Sequence, residues 1–105
     1  MEEFVMANHV VFDASCTEMG VNFIKKLDLS RVKKITVNRP SFEEVCQPVL
    51  FWFDDGDIFE IKYALTTGYY GTGSWAFHNL LVTMGKTEEE ASEVFEKKLN
   101  YTFDF

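Results

Sequence analysis

A glycine-rich segment at residues 68–74, Gly-Tyr-Tyr-Gly-Thr-Gly-Ser, has the composition best suited to ligand binding in this chain. It follows a predicted strand at residues 57–66 and precedes a predicted helix that begins near Trp75. Glycine lets backbone N–H groups approach a ligand, and the start of a helix adds unpaired N–H donors and a positive dipole end. The segment therefore predicts a cradle for a phosphate or carboxylate group.

The predicted ligand-binding residues either belong to this segment or could reach it. Backbone N–H groups and hydroxyls would hold the phosphate, and aromatic rings would stack on a base or sugar. One histidine would reach the ligand, and two basic side chains would neutralise its charge. These residues are Tyr69, Tyr70, Gly71, Thr72, Gly73, Ser74, Trp75, His78, Arg39 and Lys62.

The same segment equally suits a structural turn with positive φ, capped by Thr72 or Ser74. It lacks the Gly-Lys-Ser/Thr ending of a P-loop, and it lacks the Gly-x-Gly-x-x-Gly spacing of a dinucleotide fingerprint. His78 also suits a solvent-facing or half-buried position. Both interpretations of the segment stay open at the level of sequence.

Patterns for catalysis and metal binding are weaker. Ser74 lacks the flanking Gly-x-Ser-x-Gly of a nucleophile elbow, and neither Cys16 nor Cys46 has an identifiable base. The aspartates of residues 54–57 fit a solvated hairpin turn better than a calcium loop. We therefore predict no enzyme activity, no metal and no cofactor.

The elements that would position the segment follow from periodicity and turn residues. Strands are predicted at residues 4–12, 32–37, 49–53 and 58–65, and residues 101–105 could add an edge strand. In residues 32–37 the alternation places Val32 on the face opposite Ile35 and Val37. In residues 58–65 it places Phe59, Ile61, Tyr63 and Leu65 toward the core.

Helices are predicted at residues 16–27, from Trp75 to Gly85, and from Thr87 onward, with a short turn of helix after Ser41. Capping boxes begin at Ser15, Ser41 and Thr87. The last helix would bury residues 91, 94, 95 and 99 and pair Glu93 with Lys97. The chain thus predicts one α+β domain over residues 1–105, a largely antiparallel sheet of about four strands with two or three helices on one face.

Composition limits the classes of partner. The 105 residues carry a formal charge of −7, which disfavours direct binding to nucleic acid or anionic membrane and permits a basic protein partner. Six of the ten basic residues lie between positions 25 and 39, where they form either an anion-attracting face or a solvated one. The opening residues show no secretory signal, so we expect a reducing cytoplasm.

These observations lead to a main hypothesis and two alternatives. The first is a non-enzymatic protein that captures a phosphate-bearing small molecule, a nucleotide or cyclic nucleotide signal, in a pocket between subunits of a homo-oligomer. The second is an acidic protein–protein inhibitor that blocks a basic cleft of a host enzyme or nucleic-acid-binding protein. The third is an assembly subunit that self-associates through residues 101–105. An acidic, aromatic-rich chain without a catalytic set is typical of small viral or mobile-element proteins that counter host defence.

Overall fold

A mostly antiparallel sheet forms the base of the fold. The computed structural model describes residues 9–14, 16–43 and 47–105, and within them the strands are β1 (His9–Asp13), β2 (Val32–Asn38), β3 (Val49–Phe53), β4 (Ile58–Lys62) and β5 (Asn100–Asp104). Their spatial order is β1-β4-β3-β2-β5. The β1–β4 pair is parallel, and the other pairs are antiparallel. The α+β prediction is confirmed, with five strands in place of about four because residues 100–104 add the edge strand β5.

The helices cover one face of this sheet. They are α1 (Thr17–Ile24), α2 (Thr72–Thr83) and α3 (Glu88–Ala91), and α3 continues into a 3-10 turn, Ser92–Phe95. Side chains from the sheet and from the helices bury together in one core. The buried strand residues alternate along β2 to β5: Ile35, Val37, Val49, Phe51, Phe59, Ile61, Tyr101 and Phe103.

A β-bulge in β2 corrects the predicted alternation. The register of β2 against β3 shifts between Val32 and Lys34. The extra residue turns Val32 onto the core face, so that Val32 is buried together with Ile35 and Val37. The prediction that Val32 faces away from these two residues is therefore wrong.

Strand β4 ends earlier than the sequence predicts. It stops at Lys62, and the next residue, Tyr63, has a φ of +64°. This left-handed conformation turns the chain out of the sheet, and the Tyr63 side chain is 56% exposed. Tyr63 therefore does not face the core, whereas Leu65 is buried without belonging to a strand.

Helix boundaries agree with the predicted caps better than with the predicted lengths. Thr87 and Glu90 form the capping box, and Gly85 ends the preceding helical segment with a φ of +108°. By contrast, α1 ends at Ile24 rather than at residue 27, and Leu99 is 38% exposed beyond the last helical turn. The predictions for residues 4–8 and for a cap at Ser15 lie outside the described residues, as does part of the short helix after Ser41.

Candidate functional site: an aromatic platform at the start of helix α2

The loop between β4 and α2 is fixed at Gly68. Gly68 has a φ of +87°, and its N–H donates to the Val94 carbonyl at 2.7 Å. A Cβ at this position would lie 2.5 Å from Nη1 of Arg39. Glycine is therefore required here both by the backbone conformation and by the close approach of the guanidinium.

Arg39 is buried, and its side chain joins separate segments of the chain through hydrogen bonds. Its side chain donates from Nη1 to the Lys98 carbonyl at 2.9 Å and to the Tyr101 hydroxyl at 3.2 Å, and from Nη2 to the Phe42 carbonyl at 2.5 Å. Only 5% of the residue is exposed. These bonds hold the segment after β2 against the start of β5. The sequence places Arg39 as a charge partner for a ligand, but its donors face protein acceptors instead.

The second half of the glycine-rich segment belongs to helix α2. The helix begins at Thr72, three residues before Trp75, with Gly71 as an N-cap that makes no side-chain cap bond. Gly73 and Ser74 are buried, and the Ser74 hydroxyl lies 2.9 Å from the Thr66 hydroxyl. A Cβ on Gly73 would lie 2.8 Å from that same Thr66 oxygen. Gly73 and Ser74 thus pack the helix start onto residues 64–66, whereas Thr72 is exposed.

His78 and Lys62 lie in different environments. His78 is 6% exposed, its Nδ1 lies 3.2 Å from Oδ1 of Asn79, and its ring stacks on that of Phe95. Its burial differs from the solvent-facing or half-buried position that the sequence suggests. Lys62 lies on the sheet face opposite the helices, because the alternation in β4 turns Phe59 and Ile61 toward the core.

Four rings form a connected cluster that we call the aromatic platform: Tyr70, Trp75, His78 and Phe95. Tyr70 stacks on Phe95 with centroids 4.5 Å apart and an interplanar angle of 16°. Trp75 lies 4.7 Å from Phe95 and meets His78 edge-on at 5.4 Å. Buried Phe95 and His78 thus support two exposed rings, Tyr70 at 73% and Trp75 at 47%.

Tyr69 lies beside the platform and is 41% exposed. A Cβ on Gly71 would lie 2.3 Å from its ring, so Gly71 makes room for this tyrosine. The exposed rings of residues 70 and 75 thus meet at the start of α2, with centroids 6.2 Å apart, and exposed Tyr69 precedes them in the same loop. Phe95 could not be predicted as part of this site, because periodicity marks it only as a core residue. Its ring contact with Tyr70 spans 25 positions and leaves no local signal in the sequence.

Acidic residues lie on both sides of Phe95 along the chain. Residues 88–98 contain five glutamates and two lysines, and Phe95 is followed directly by exposed Glu96. Glu93 pairs with Lys98 at 3.0 Å rather than with the predicted Lys97, because the helix ends before Lys97. The hydrogen bond from Lys98 to Glu93 raises the pKa of the lysine. Glu88, Glu89 and Glu96 are exposed, and we call them the acidic rim.

The basic stretch of residues 25–39 is partly neutralised within the fold. Arg31 donates to Asp54 at 3.0 Å and to Asp55 at 2.6 Å, and hydrogen bonds to these carboxylates raise its pKa. Lys34 lies 4.7 Å above the Trp52 ring. Two aspartates of the hairpin turn thus bind an arginine, which agrees with a structural role for that turn.

Metal-ligand groups and surface cavities are the other features that could mark a site. Within residues 9–14, 16–43 and 47–105, no group of three or more His, Cys, Asp or Glu side chains could hold a metal ion. Three surface cavities, of about 420, 270 and 250 Å³, are lined by residues outside the segment 68–74. The rings at the start of α2 therefore form a surface rather than line one of these cavities.

The comparisons with known proteins identify no relative: no family model matches the chain, and neither curated proteins nor solved structures give a match. Among the described residues, no helix is both long enough and apolar enough to cross a membrane.

Proposed function

We propose that this protein is a non-catalytic binding domain that docks its aromatic platform into a basic, apolar-lined cleft of a partner protein. The observation that carries the proposal is the pair of exposed rings, Tyr70 and Trp75, held on a buried base of Phe95 and His78. Rings fixed in this way lose little conformational freedom on binding. Tyrosine and tryptophan are also the residues that most often dominate the free energy of protein–protein binding.

The acidic rim supports a basic partner. Exposed Glu88, Glu89 and Glu96 lie on the segment that contributes Phe95 to the platform. Exposed carboxylates attract a positively charged surface and repel an anionic one. The net charge of −7 also attracts a positively charged partner, and it does so over longer distances.

Capture of a phosphate-bearing ligand is the second candidate. It is favoured by one observation, the exposed tyrosines beside an α2 N-terminus whose cap residue, Gly71, makes no side-chain cap bond. The positions of Arg39 and Lys62 weigh against it, since the first donates to protein carbonyls and the second lies on the opposite sheet face. The acidic rim also opposes an anion, so we rank partner docking first.

A cytoplasmic location and a role in countering a host component extend the proposal. The location rests on the low cysteine content, two in 105 residues. The role against a host component rests on the acidic, aromatic-rich composition, which suits a small inhibitor that competes for a positively charged cleft.

Affinity capture from cell extract tests partner docking. We expect the wild-type domain to retain a protein with a basic surface, and Tyr70→Ala to weaken that binding by about 30-fold, the effect of a residue contributing about 2 kcal/mol. Phe42→Ala is the matched control, because Phe42 is 52% exposed and lies outside the platform. Charge reversal of the acidic rim should weaken binding and flatten its dependence on salt. Equal losses from Tyr70→Ala and Phe42→Ala would refute docking through the platform.

A thermal-shift panel of nucleotides and cyclic nucleotides tests the second candidate. Ligand capture predicts that at least one compound raises the melting temperature, by an amount that grows with its concentration. Tyr70→Ala should remove the shift, whereas reversal of the rim charges should leave it in place or increase it. If no compound shifts the melting temperature, the ligand hypothesis is ruled out for this panel and the docking proposal is unaffected.

A further inference from the structure

Strand β1 lies at the edge of the sheet with an apolar surface. Among the described residues, β1 pairs with β4 alone. Val10 is 53% exposed and Val11 is 50% exposed. An exposed, apolar edge strand is a template for pairing with another chain.

The backbone register shows which groups of β1 point outward. The Ala14 N–H donates to the Lys62 carbonyl of β4 at 3.0 Å. In a parallel pair the backbone groups of alternate residues point to the same neighbour, so Phe12 and Val10 also bond toward β4. The N–H and C=O groups of His9, Val11 and Asp13 therefore point away from the sheet. These three residues are symmetric about Val11.

From this arrangement we propose that the protein forms a two-fold dimer in which β1 pairs antiparallel with β1 of a second copy, centred on Val11. In that register Val11 lies opposite Val11, and His9 lies opposite Asp13 of the other copy. The three outward-facing residues of each strand then exchange about six backbone hydrogen bonds. The two sheets become one continuous sheet across the dimer axis.

The side chains of β1 are complementary to themselves in this register. The His9–Asp13 pairs place an imidazole beside a carboxylate at both ends of the interface, so no two like charges, which would destabilise a sheet, face each other there. His9 already lies 2.9 Å from Glu60 through Nε2, which orients the ring on that face. Because a two-fold interface uses the same patch twice, a strand that matches itself favours a second copy over an unrelated peptide.

The helix side of the interface offers matching space. A cavity of about 270 Å³ borders Val10, Phe23 and Leu27, and one of about 420 Å³ borders Phe12 and Met19. Phe12 of the second copy would lie opposite Val10 and enter the first cavity, and Val10 of that copy would lie opposite Phe12 and enter the second. Pairs of aromatic and β-branched residues are among the favourable cross-strand contacts.

The other edge strand of the sheet, β5, is less suited to pairing with a second chain than β1 is. On β5, the Asp104 carbonyl accepts a hydrogen bond from Lys86 Nζ, and Thr102 is exposed and polar. Lysines near an edge strand discourage pairing with other chains. These features favour self-association through β1 over self-association through residues 101–105.

Sedimentation velocity and native mass spectrometry test the dimer. We expect the wild-type protein to have twice its chain mass of 12.2 kDa at micromolar concentration. Val11→Lys and Val11→Glu should each give monomers, because like charges would face each other at the two-fold axis. An equimolar mixture of the two variants should recover a heterodimer, which shows that both remain folded. Thr102→Lys on β5 is the matched control and should stay dimeric.

Three results would overturn the proposal: a wild-type protein that stays monomeric at the highest soluble concentration, a Val11→Lys variant that stays dimeric, or variants that fail to combine in the mixture. Because the platform lies on other elements, Tyr70→Ala should leave the dimer intact. Failure of the dimer and failure of partner docking are therefore distinguishable.

Discussion

The contact between Gly68 and Arg39 fixes the path of the loop that carries the exposed tyrosines. The Arg39 guanidinium is close enough to Gly68 to exclude a β-carbon there, and it donates to the carbonyls of Phe42 and Lys98. The charge of Arg39 can be read from the sequence, but its acceptors cannot. Lys98 is 59 residues away, and a backbone carbonyl has no sequence signature. For this reason the sequence suggests that Arg39 binds a ligand, whereas in the fold its guanidinium binds backbone carbonyls.

Substituting Gly68 tests this contact. Gly68→Ala should lower the free energy of unfolding by about 2 kcal/mol or more, since alanine meets both an unfavourable φ of +87° and the guanidinium. Gly85→Ala is the control. Gly85 has a φ of +108°, but a Cβ there meets no atom within 4 Å, so only the backbone term of about 1 kcal/mol remains. Chemical denaturation measures both; equal losses would contradict a specific role for the Arg39 contact.

At the scale of elements, local patterns predict the structure well. The capping box at Thr87, the glycine that ends the segment before it and the hairpin turn at residues 54–57 are all found as predicted. Each depends on residues within four positions of one another, so the sequence contains the whole cause. The bulge in β2 and the early end of β4 depend on neighbouring strands, and their positions could not be predicted from periodicity alone.

Thr87→Ala tests the capping box. The Thr87 hydroxyl accepts from the Glu90 N–H at 3.1 Å, and Glu90 Oε1 accepts from the Thr87 N–H at 2.9 Å. Losing the hydroxyl should lower the free energy of unfolding by about 1 kcal/mol at neutral pH. Ser92→Ala is the control on the same segment, because its hydroxyl bonds only back to the Glu88 carbonyl, and its effect should stay within about 0.5 kcal/mol. A loss from Ser92→Ala as large as that from Thr87→Ala would contradict the capping role.

The capping box also gives a pH dependence. Hydrogen bonding to Thr87, through its backbone N–H first and its hydroxyl second, holds the pKa of Glu90 below its ordinary value of 4.5. Because the folded pKa is the lower one, this stabilisation is complete above the ordinary value and is lost as the pH falls through the folded pKa. Acid titration of Glu90→Gln should therefore show a smaller loss of stability below about pH 4.5 than the wild type shows.

At the scale of the whole molecule, the two proposed binding surfaces lie on separate parts of the fold. The aromatic platform is built by the loop before α2, by α2 itself and by the 3-10 turn Ser92–Phe95, whereas the proposed dimer interface is at β1. Composition predicts an acidic domain rich in aromatic residues, but not which rings are exposed. Tyr70 and Trp75 are exposed because Phe95, 25 and 20 positions further along the chain, fills the space beneath them.

Site-specific photo-crosslinking in cells tests docking through the platform most directly. Tyr70 is replaced by the photo-crosslinking residue p-benzoylphenylalanine. In a parallel control the same residue replaces Phe42, which is also exposed. We expect position 70 to crosslink to a protein with a basic surface and position 42 not to do so. Charge reversal of Glu88, Glu89 and Glu96 should reduce the yield at position 70. Crosslinks of equal yield and identity at positions 70 and 42, or none at position 70, would contradict it.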